Sequence, residues 1–362
     1  MKVFYDFQIF SLQRRGGISR YFSSLWGELQ KHKDFSGELF LGINQTEMDA
    51  EIKSVIRING FRLKDPQWPK TWRLTRRLNT WLCQRQLCKS AAQIYHPTQN
   101  WLPQDLRGKT LVITIHDLIY ELMPERFAPA DPAFLWRPEA IKRAKIILTV
   151  SENTKRDLCR IYHVAPSKVF VSPLGCSLTA ALKVPKGKTG EKPFLLYVGD
   201  RAGYKNFKLL MDVWRRSALL RGGFQLVCFG GAEPTLEESS LPGDVRFCRG
   251  DDLMLSELYR TATALVYPSL YEGFGFPVLE AFEFGCPVLT TGCGSLREVA
   301  GQAAIYFNPH EADSLLSAIT TIINDPARRS AVIAEGHRQK KQFSWQRCAA
   351  VTRQAYLAAL ES

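Results

Sequence analysis

Between Tyr267 and Glu298 the chain reads YPSLYEGFGFPVLEAFEFGCPVLTTGCGSLRE, and no other stretch restricts the fold as tightly. The apolar run Ala264-Leu-Val-Tyr267 predicts a buried strand, and the residues from Pro268 to Gly275 leave it as a loop whose glycines let the backbone approach a ligand closely. Pro277 suits the first position of a helix. The turn at Gly273 and Gly275 therefore lies against the N–H groups and positive dipole end of that helix, a place for anionic or strongly hydrogen-bonding groups. Glu280 falls about one turn into the helix while Glu272 stays in the loop before it, so the two carboxylates can address different parts of one extended ligand.

The same alternation runs through both halves. Val3-Phe-Tyr-Asp-Phe7 reads as a first parallel strand, and Gly16-Gly17 precede an amphipathic helix carrying Ile18, Phe22, Leu25 and Leu29. No G-x-G-x-x-G follows the strand, so this is not a dinucleotide fingerprint. Phe40-Leu-Gly-Ile43, Ile94-Tyr-His96, Leu111 to Ile115 and Ile146 to Val150 continue as strands, with His116-Asp117 at the end of one, where α/β sheets present chemistry. Met123-Pro, Ala128-Pro and Asp131-Pro punctuate a loop, and a helix follows from about Pro138 to Ala144. Ser151 caps the next helix. Cys176 to Lys192 has the Lys, Gly and Pro content of a linker.

Beyond it, Phe194 to Gly199 reads as a strand again, with Arg201 and Lys205 in its loop, where cations would face a diphosphate. Strands also fit Gln225 to Phe229, Val245 to Arg249, Pro287 to Thr290 and Ala303 to Phe307. Helices from about Glu311 to Ile323, about Pro326 to Lys340 and from Ser344 close the chain. Two open, mostly parallel α/β sheets are expected, in domains 1–178 and 179–343, with a last helix over 344–362.

The 362 residues suffice for two cores. No run approaches the ~20 apolar residues of a membrane span, and the opening MKVFYDF lacks the layout of a signal peptide. Nine scattered cysteines without a CxxC pair argue for a reducing cytosol and against a disulfide framework or zinc site. The formal charge of +13 is uneven, since residues 51–100 carry ten Lys/Arg against two Asp/Glu. In the run from Trp68, Leu74, Leu78, Trp81 and Leu82 share a helical face, with Arg73, Arg76, Arg77 and Arg85 mostly off it. Such a helix suits an anionic membrane surface, and it equally suits a helix covering the core with a solvated basic side. No helix-turn-helix, RNA-binding signature or zinc finger is present, so nucleic acid is not the expected partner.

The frame E-G-F-G-x-P-x-x-E-A from Glu272 resembles the nucleotide-sugar-binding signature of retaining glycosyltransferases of family 4. The resemblance extends to F-x-x-Q-x-x-G-G-I-S-R-Y near the N-terminus, to T-I-H-D-L around His116 and to the loop holding Lys205. It implies the two-domain GT-B fold, two Rossmann-like domains facing across a cleft, with the last helix crossing back to the N-terminal domain. It further implies that Glu272 contacts the donor sugar and Glu280 holds the ribose hydroxyls. By the same resemblance Gly16 and Gly17 approach the donor phosphates and the acceptor, Gly273, Phe274 and Gly275 line the donor site, and His116 lies near the sugar. Lys205 matches the family's lysine, whereas the family's arginine would stand at Asp200 and this chain carries Arg201 one place later.

Transfer from a nucleoside diphosphate demands stabilisation of the departing diphosphate, and no Asp-x-Asp pair is present to hold a divalent metal. Lys205, Arg201, a helix N-terminus and a glycine turn are available for that work, so no metal and no cofactor beyond the nucleotide-sugar co-substrate is expected. The resemblance implies that the leaving phosphate itself serves as base for the acceptor hydroxyl. It is strongest to mannosyltransferases of bacterial O-antigen and exopolysaccharide assembly, implying GDP-mannose as donor, a lipid-linked glycan as acceptor, and a cytoplasmic protein held peripherally at the inner face of the membrane. A UDP-sugar donor, a nucleotide-sugar epimerase on the same fold and a non-catalytic, membrane-associated binding protein remain as alternatives.

Overall fold

A computed structural model describes residues 1–14, 16–45, 58–62, 72–103, 105–127, 132–178, 192–201 and 203–361. The chain forms two compact units, Met1–Gly175 with Trp345–Ser362, and Cys176–Ser344. Residues 179–191, most of the expected linker, lie outside the described residues, as do Trp68 and the dipeptides Ala128-Pro129 and Asp131.

The first unit holds a parallel sheet of β1 (Lys2–Tyr5), β2 (Ser36–Asn44), β3 (Ile58–Arg62), β4 (Ile94–His96), β5 (Thr110–Ile115), β6 (Ile146–Thr149) and β7 (Val169–Val171). The spatial order is β3-β2-β1-β4-β5-β6-β7. The chain thus winds outward from β1 on one side, returns to β4 on the other, and leaves a switch point between the two. Strand β3 has no counterpart in the sequence reading, because Asn59-Gly60 at its centre carries a turn signature.

Strand β2 outruns β1, which pairs only with Ser36 to Leu39. The backbone edge exposed beyond Leu39 is taken up by a side chain. Asn79, fully buried on helix Trp72–Lys89, accepts from Ile43 N and donates to Ile43 O, both at 2.8 Å. Its amide is so close to Gly42, which has φ +55°, that no side chain fits there.

This anchoring decides which way the basic helix faces. Asn79, Cys83 and Leu87 turn to the core, while Leu74, Leu78 and Trp81 are 71%, 43% and 53% exposed. The apolar face read from the sequence therefore points mostly to solvent. Only Leu82 packs partly inward.

Two more helices differ from expectation or add to it. The helix placed from about Pro138 begins at Pro132 and runs to Arg143 with Pro138 inside it. Helix Trp345–Glu361 packs within the first unit, against helix Gly17–Leu29 and strands β5 to β7. Its Tyr356 hydroxyl lies 2.7 Å from His96 Nδ1 and also meets the Tyr5 hydroxyl, and Ser172 Oγ donates to Cys348 O at 3.0 Å.

The second unit repeats the plan with β8 (Phe194–Val198), β9 (Gln225–Phe229), β10 (Val245–Cys248), β11 (Ala264–Tyr267), β12 (Val288–Thr290) and β13 (Ala304–Tyr306). Its parallel order is β10-β9-β8-β11-β12-β13, with the switch point between β8 and β11. Every residue of β11 is buried, as a strand covered on both faces requires. Helix Phe207–Arg216 seals one face with Phe207, Leu210 and Trp214, each contributing about 1.5–3 kcal/mol by leaving water.

Candidate functional site

Doubly wound sheets bind ligands beyond the carboxyl ends of the strands flanking the switch point. In the second unit the loops leaving β8 and β11 carry a cation and a carboxylate to that place. After β8 the chain turns at Gly199, with φ +124°, and passes through a short 3-10 turn, Gly203–Lys205. Leu270 N donates to Tyr204 O at 2.8 Å, tying the second loop to the first. Asn206, in the left-handed region that asparagine tolerates, donates its amide to the carbonyls of Pro268 and Pro309 at 3.2 and 2.8 Å.

These ties bring Lys205 Nζ to 2.7 Å from Glu272 Oε1. Tyr267, the buried last residue of β11, donates its hydroxyl to the same oxygen at 2.7 Å and accepts from Lys205 Nζ at 3.3 Å. The side chains of Lys205 and Glu272 are 15% and 10% exposed, shielded from water without being sealed from it. Burial, the largest single influence, works against the ammonium, but Glu272 together with Tyr267 and Tyr204 outweighs it and holds Lys205 well above the ordinary lysine value.

The loop bearing Glu272 is fixed from below by residues the sequence reading passed over. Ser295 donates its N–H to Glu272 O at 3.1 Å, and its hydroxyl lies 3.0 and 2.9 Å from the carbonyls of Glu272 and Phe274. Gly294, at φ +58°, leaves no room for a side chain, since a Cβ would stand 2.7 Å from Glu272 O. The signal was present as the polar Gly-Cys-Gly-Ser turn after β12, although nothing in it named the partner.

Gly275, at φ +98°, opens helix Phe276–Glu283, with Pro277 at its second position, not its first. Gly273 lies in the loop between Glu272 and Phe274. Phe274 is buried edge-on against Phe276 and Phe343, with centroids at 5.7 and 5.6 Å, so its ring builds the core beneath the loop. Glu280 is 4% exposed and accepts from the buried Tyr259 hydroxyl at 2.9 Å.

Arg201 departs from expectation. Its Nε donates to Glu238 Oε1 at 3.1 Å, its Nη1 to Gly230 O at 2.8 Å and its Nη2 to Ala232 O, and the guanidinium lies 5.0 Å over the Phe247 ring. Three of the five N–H groups of the fork are thus engaged by protein acceptors, and the side chain is 5% exposed, so the guanidinium is built into the loops around it. Shifted one place along its loop, Arg201 meets the glycine turn after β9 and ties the two loops together. A Cβ at Gly231 would stand 2.8 Å from Nη1.

Within the first unit, Gly16 is extended backbone capping helix Gly17–Leu29, and Gly17 is the first residue of that helix. A Cβ at Gly16 would meet the Gln13 side chain. His116 follows β5, half-buried and edge-on to Tyr21 at 4.9 Å, and its Nε2 is shut from solvent without a hydrogen-bond partner. Burial, with the positive Arg137 adding to it, pushes the ring down to about 3 and keeps it neutral.

His96 is fully buried and satisfied on both sides, Nε2 lying 2.9 Å from Thr114 Oγ1, and burial pushes it too to about 3. Asp6, at the end of β1 and unremarked in the sequence, is also fully buried. It accepts from Tyr95 Oη and Gln8 Nε2 at 2.6 Å and from Thr98 N at 2.9 Å, and joins the loops after β1 and β4. Burial raises its carboxyl despite these donors. Among the described residues, no three His, Cys, Asp or Glu side chains gather as a metal site.

Residues 15–179 match the family described as Glycosyltransferase Family 4, and residues 179–339 match Glycosyl transferases group 1. The chain is 29% identical over 357 residues to the O-antigen chain mannosyltransferase B of Escherichia coli, covering 91% of each. In fold it is similar to the sucrose-phosphate synthase of Thermosynechococcus elongatus, with a TM-score of 0.77 and 19% identity over 99% of both chains. It is similar also to Anabaena HepE in complex with UDP-glucose, with a TM-score of 0.72 and 14% identity over 100% of both. A GT-B architecture, two doubly wound units, and a cation and carboxylate joined at the switch point of the second therefore meet in one chain, which belongs to the family 4 glycosyltransferases.

Proposed function

We propose that this glycosyltransferase moves mannose from GDP-mannose, with retention of configuration, onto a lipid-linked glycan in O-antigen-type polysaccharide assembly. The cluster of Lys205, Glu272 and Tyr267 carries the reading, since it joins a diphosphate-binding cation to a sugar-binding carboxylate. Mannose is favoured by the relative named O-antigen chain mannosyltransferase B.

In the reaction the bond from the anomeric carbon to the diphosphate oxygen breaks, and a bond to the acceptor oxygen forms on the same face. The acceptor proton passes to the departing phosphate. Lys205 and the positive end of helix Phe276–Glu283 take up the charge the diphosphate gains. Glu272 accepts from a hexose hydroxyl and Glu280 from the ribose, and His116, which burial keeps neutral, is a further candidate catalytic group. Since a lysine and a helix end supply the positive charge, the reaction is proposed to need no divalent metal.

The test is a panel of GDP-mannose, UDP-glucose and UDP-N-acetylglucosamine with donor consumption followed. Turnover of GDP-mannose alone is expected, and turnover of UDP sugars alone removes the mannosyl assignment. An altered sugar released without an acceptor, seen by NMR, replaces transfer with epimerisation.

The outward face of helix Trp72–Lys89 supports a station at the inner surface of the cytoplasmic membrane. Leu74, Leu78 and Trp81 stand exposed there, with the Arg85 guanidinium 4.6 Å over the Trp81 ring. Among the described residues no helix is long and apolar enough to cross a membrane. Vesicles containing anionic lipid are expected to sediment the protein at low salt and release it at high salt. Substitution of both Leu74 and Trp81 by serine should weaken that binding by at least about a hundredfold, since each CH₂ withdrawn from lipid costs about 0.8 kcal/mol. Equal binding to neutral vesicles, or none, returns the helix to a structural role.

A further inference from the structure

Three groups at the end of β11 touch one another in a closed ring: Lys205 Nζ to Glu272 Oε1 at 2.7 Å, Tyr267 Oη to the same oxygen at 2.7 Å, and Lys205 Nζ to Tyr267 Oη at 3.3 Å. One carboxylate oxygen thus holds two donors. The two donors differ in mobility. Lys205 reaches the site on a flexible stem from a short turn. Tyr267 is fully enclosed in the strand end, where its carbonyl also accepts from Thr290 Oγ1 at 2.9 Å, so its ring cannot follow a ligand.

Two of the three N–H donors of Lys205 serve Glu272 and Tyr267, so an entering diphosphate competes with the carboxylate for the ammonium. When a doubly charged ligand enters, the ammonium turns toward it, and Glu272 is left in a pocket that exposes only a tenth of its side chain. A carboxylate stranded there without a donor is strongly disfavoured. We infer that Tyr267 is a positioning residue whose hydroxyl keeps hold of Glu272 when a nucleoside diphosphate draws Lys205 away. The inference rests on the reading that Lys205 receives the donor's diphosphate, and it adds the group that makes the exchange tolerable. Burial, with the negative Glu272 beside it, holds the Tyr267 proton far above the ordinary tyrosine range, so the hydroxyl remains a donor throughout.

The exchange has a signature that a purely structural tyrosine lacks. In Tyr267→Phe, GDP binding must strand Glu272, whereas with Glu272→Gln there is no charge to strand and no competitor for Lys205. Calorimetric titration of the full chain with GDP, and with UDP in parallel, separates the cases. Tyr267→Phe is expected to bind about 10- to 100-fold more weakly than the wild type, the cost of an unpaired buried acceptor. Glu272→Gln is expected to bind at least about threefold more tightly, and Tyr267→Phe/Glu272→Gln to match Glu272→Gln within about threefold.

Unchanged affinity in Tyr267→Phe overturns the inference, and so does a double variant as weak as Tyr267→Phe. Should Tyr267→Phe fail to fold, Glu272→Gln decides alone, and affinity equal to or below that of the wild type overturns the exchange. If the wild type binds neither GDP nor UDP, the donor reading itself falls, and the role of Tyr267 falls with it.

Discussion

Arg201 and Lys205 stand four places apart on one loop, both paired with a carboxylate and both shielded from water, yet they are set to do different work. Every nitrogen of Arg201 meets a protein acceptor, and its partner Glu238 is held in turn by Thr235 N at 2.8 Å. Lys205 has one carboxylate and one hydroxyl, and each of these bonds to the other. A charge whose partners are all fixed is part of the frame. A charge whose partner has a second donor in reserve can be lent to a ligand. Charge and position alone do not rank the two, because both are cations after the same strand, and only the one-place offset of Arg201 from the family's arginine set it apart in the sequence.

The comparison breaks most visibly at Glu272. Glu272→Gln keeps the shape of the site and removes the charge that faces the sugar, so transfer should fall about a thousandfold, as for loss of a preorganised electrostatic group. Turnover of labelled donor to acceptor measures it, and an active variant would leave the cluster without a catalytic part. Arg201→Ala should show the opposite pattern. It strands Glu238, which should lower stability by about 3–5 kcal/mol in denaturant unfolding, with GDP affinity within about threefold of the wild type under folding conditions. A tenfold loss of affinity at unchanged stability would return Arg201 to the donor site. Lys205→Ala completes the set, with GDP binding weaker by about 10- to 100-fold, the range of a lost charge-assisted contact.

The signature from Glu272 to Glu280, the strands of both sheets and the switch-point lysine were legible because each is written locally, in periodicity, glycine turns and spacing. What escaped notice depends on partners far away in sequence. Glu238, which captures Arg201, stands 37 positions on, and Asn79 finds the open edge of β2 36 positions back. The latter bond decides which face of helix Trp72–Lys89 is buried, whereas the hydrophobic pattern of that helix alone left open whether its apolar face turns to the core or outward. Tyr267 was read as an apolar strand end, and its hydroxyl gained meaning only when the loops after β8 and β11 met.

The contrast between a saturated group and an open one recurs in the first unit, with smaller stakes. His96 has partners on both ring nitrogens, whereas His116 Nε2 has none. Burial pushes both to about 3, while an unfolded histidine titrates near about 6.5. Between those values the unfolded chain binds more protons, so stability is fully present above about pH 6.5 and is lost as the pH falls toward 3, at up to about 1.4 kcal/mol per pH unit for each ring. Removing either ring should flatten that slope equally. They part at neutral pH, where His96→Ala abandons Thr114 and Tyr356 and should destabilise by about 2–3 kcal/mol, while His116→Ala breaks no ring hydrogen bond at Nε2 and should cost less stability than transfer. Paired urea titrations at pH 5 and 7.5, with turnover at pH 7.5, test this, and equal stability losses at neutral pH would mean that an unpartnered nitrogen in this fold carries no sign of function.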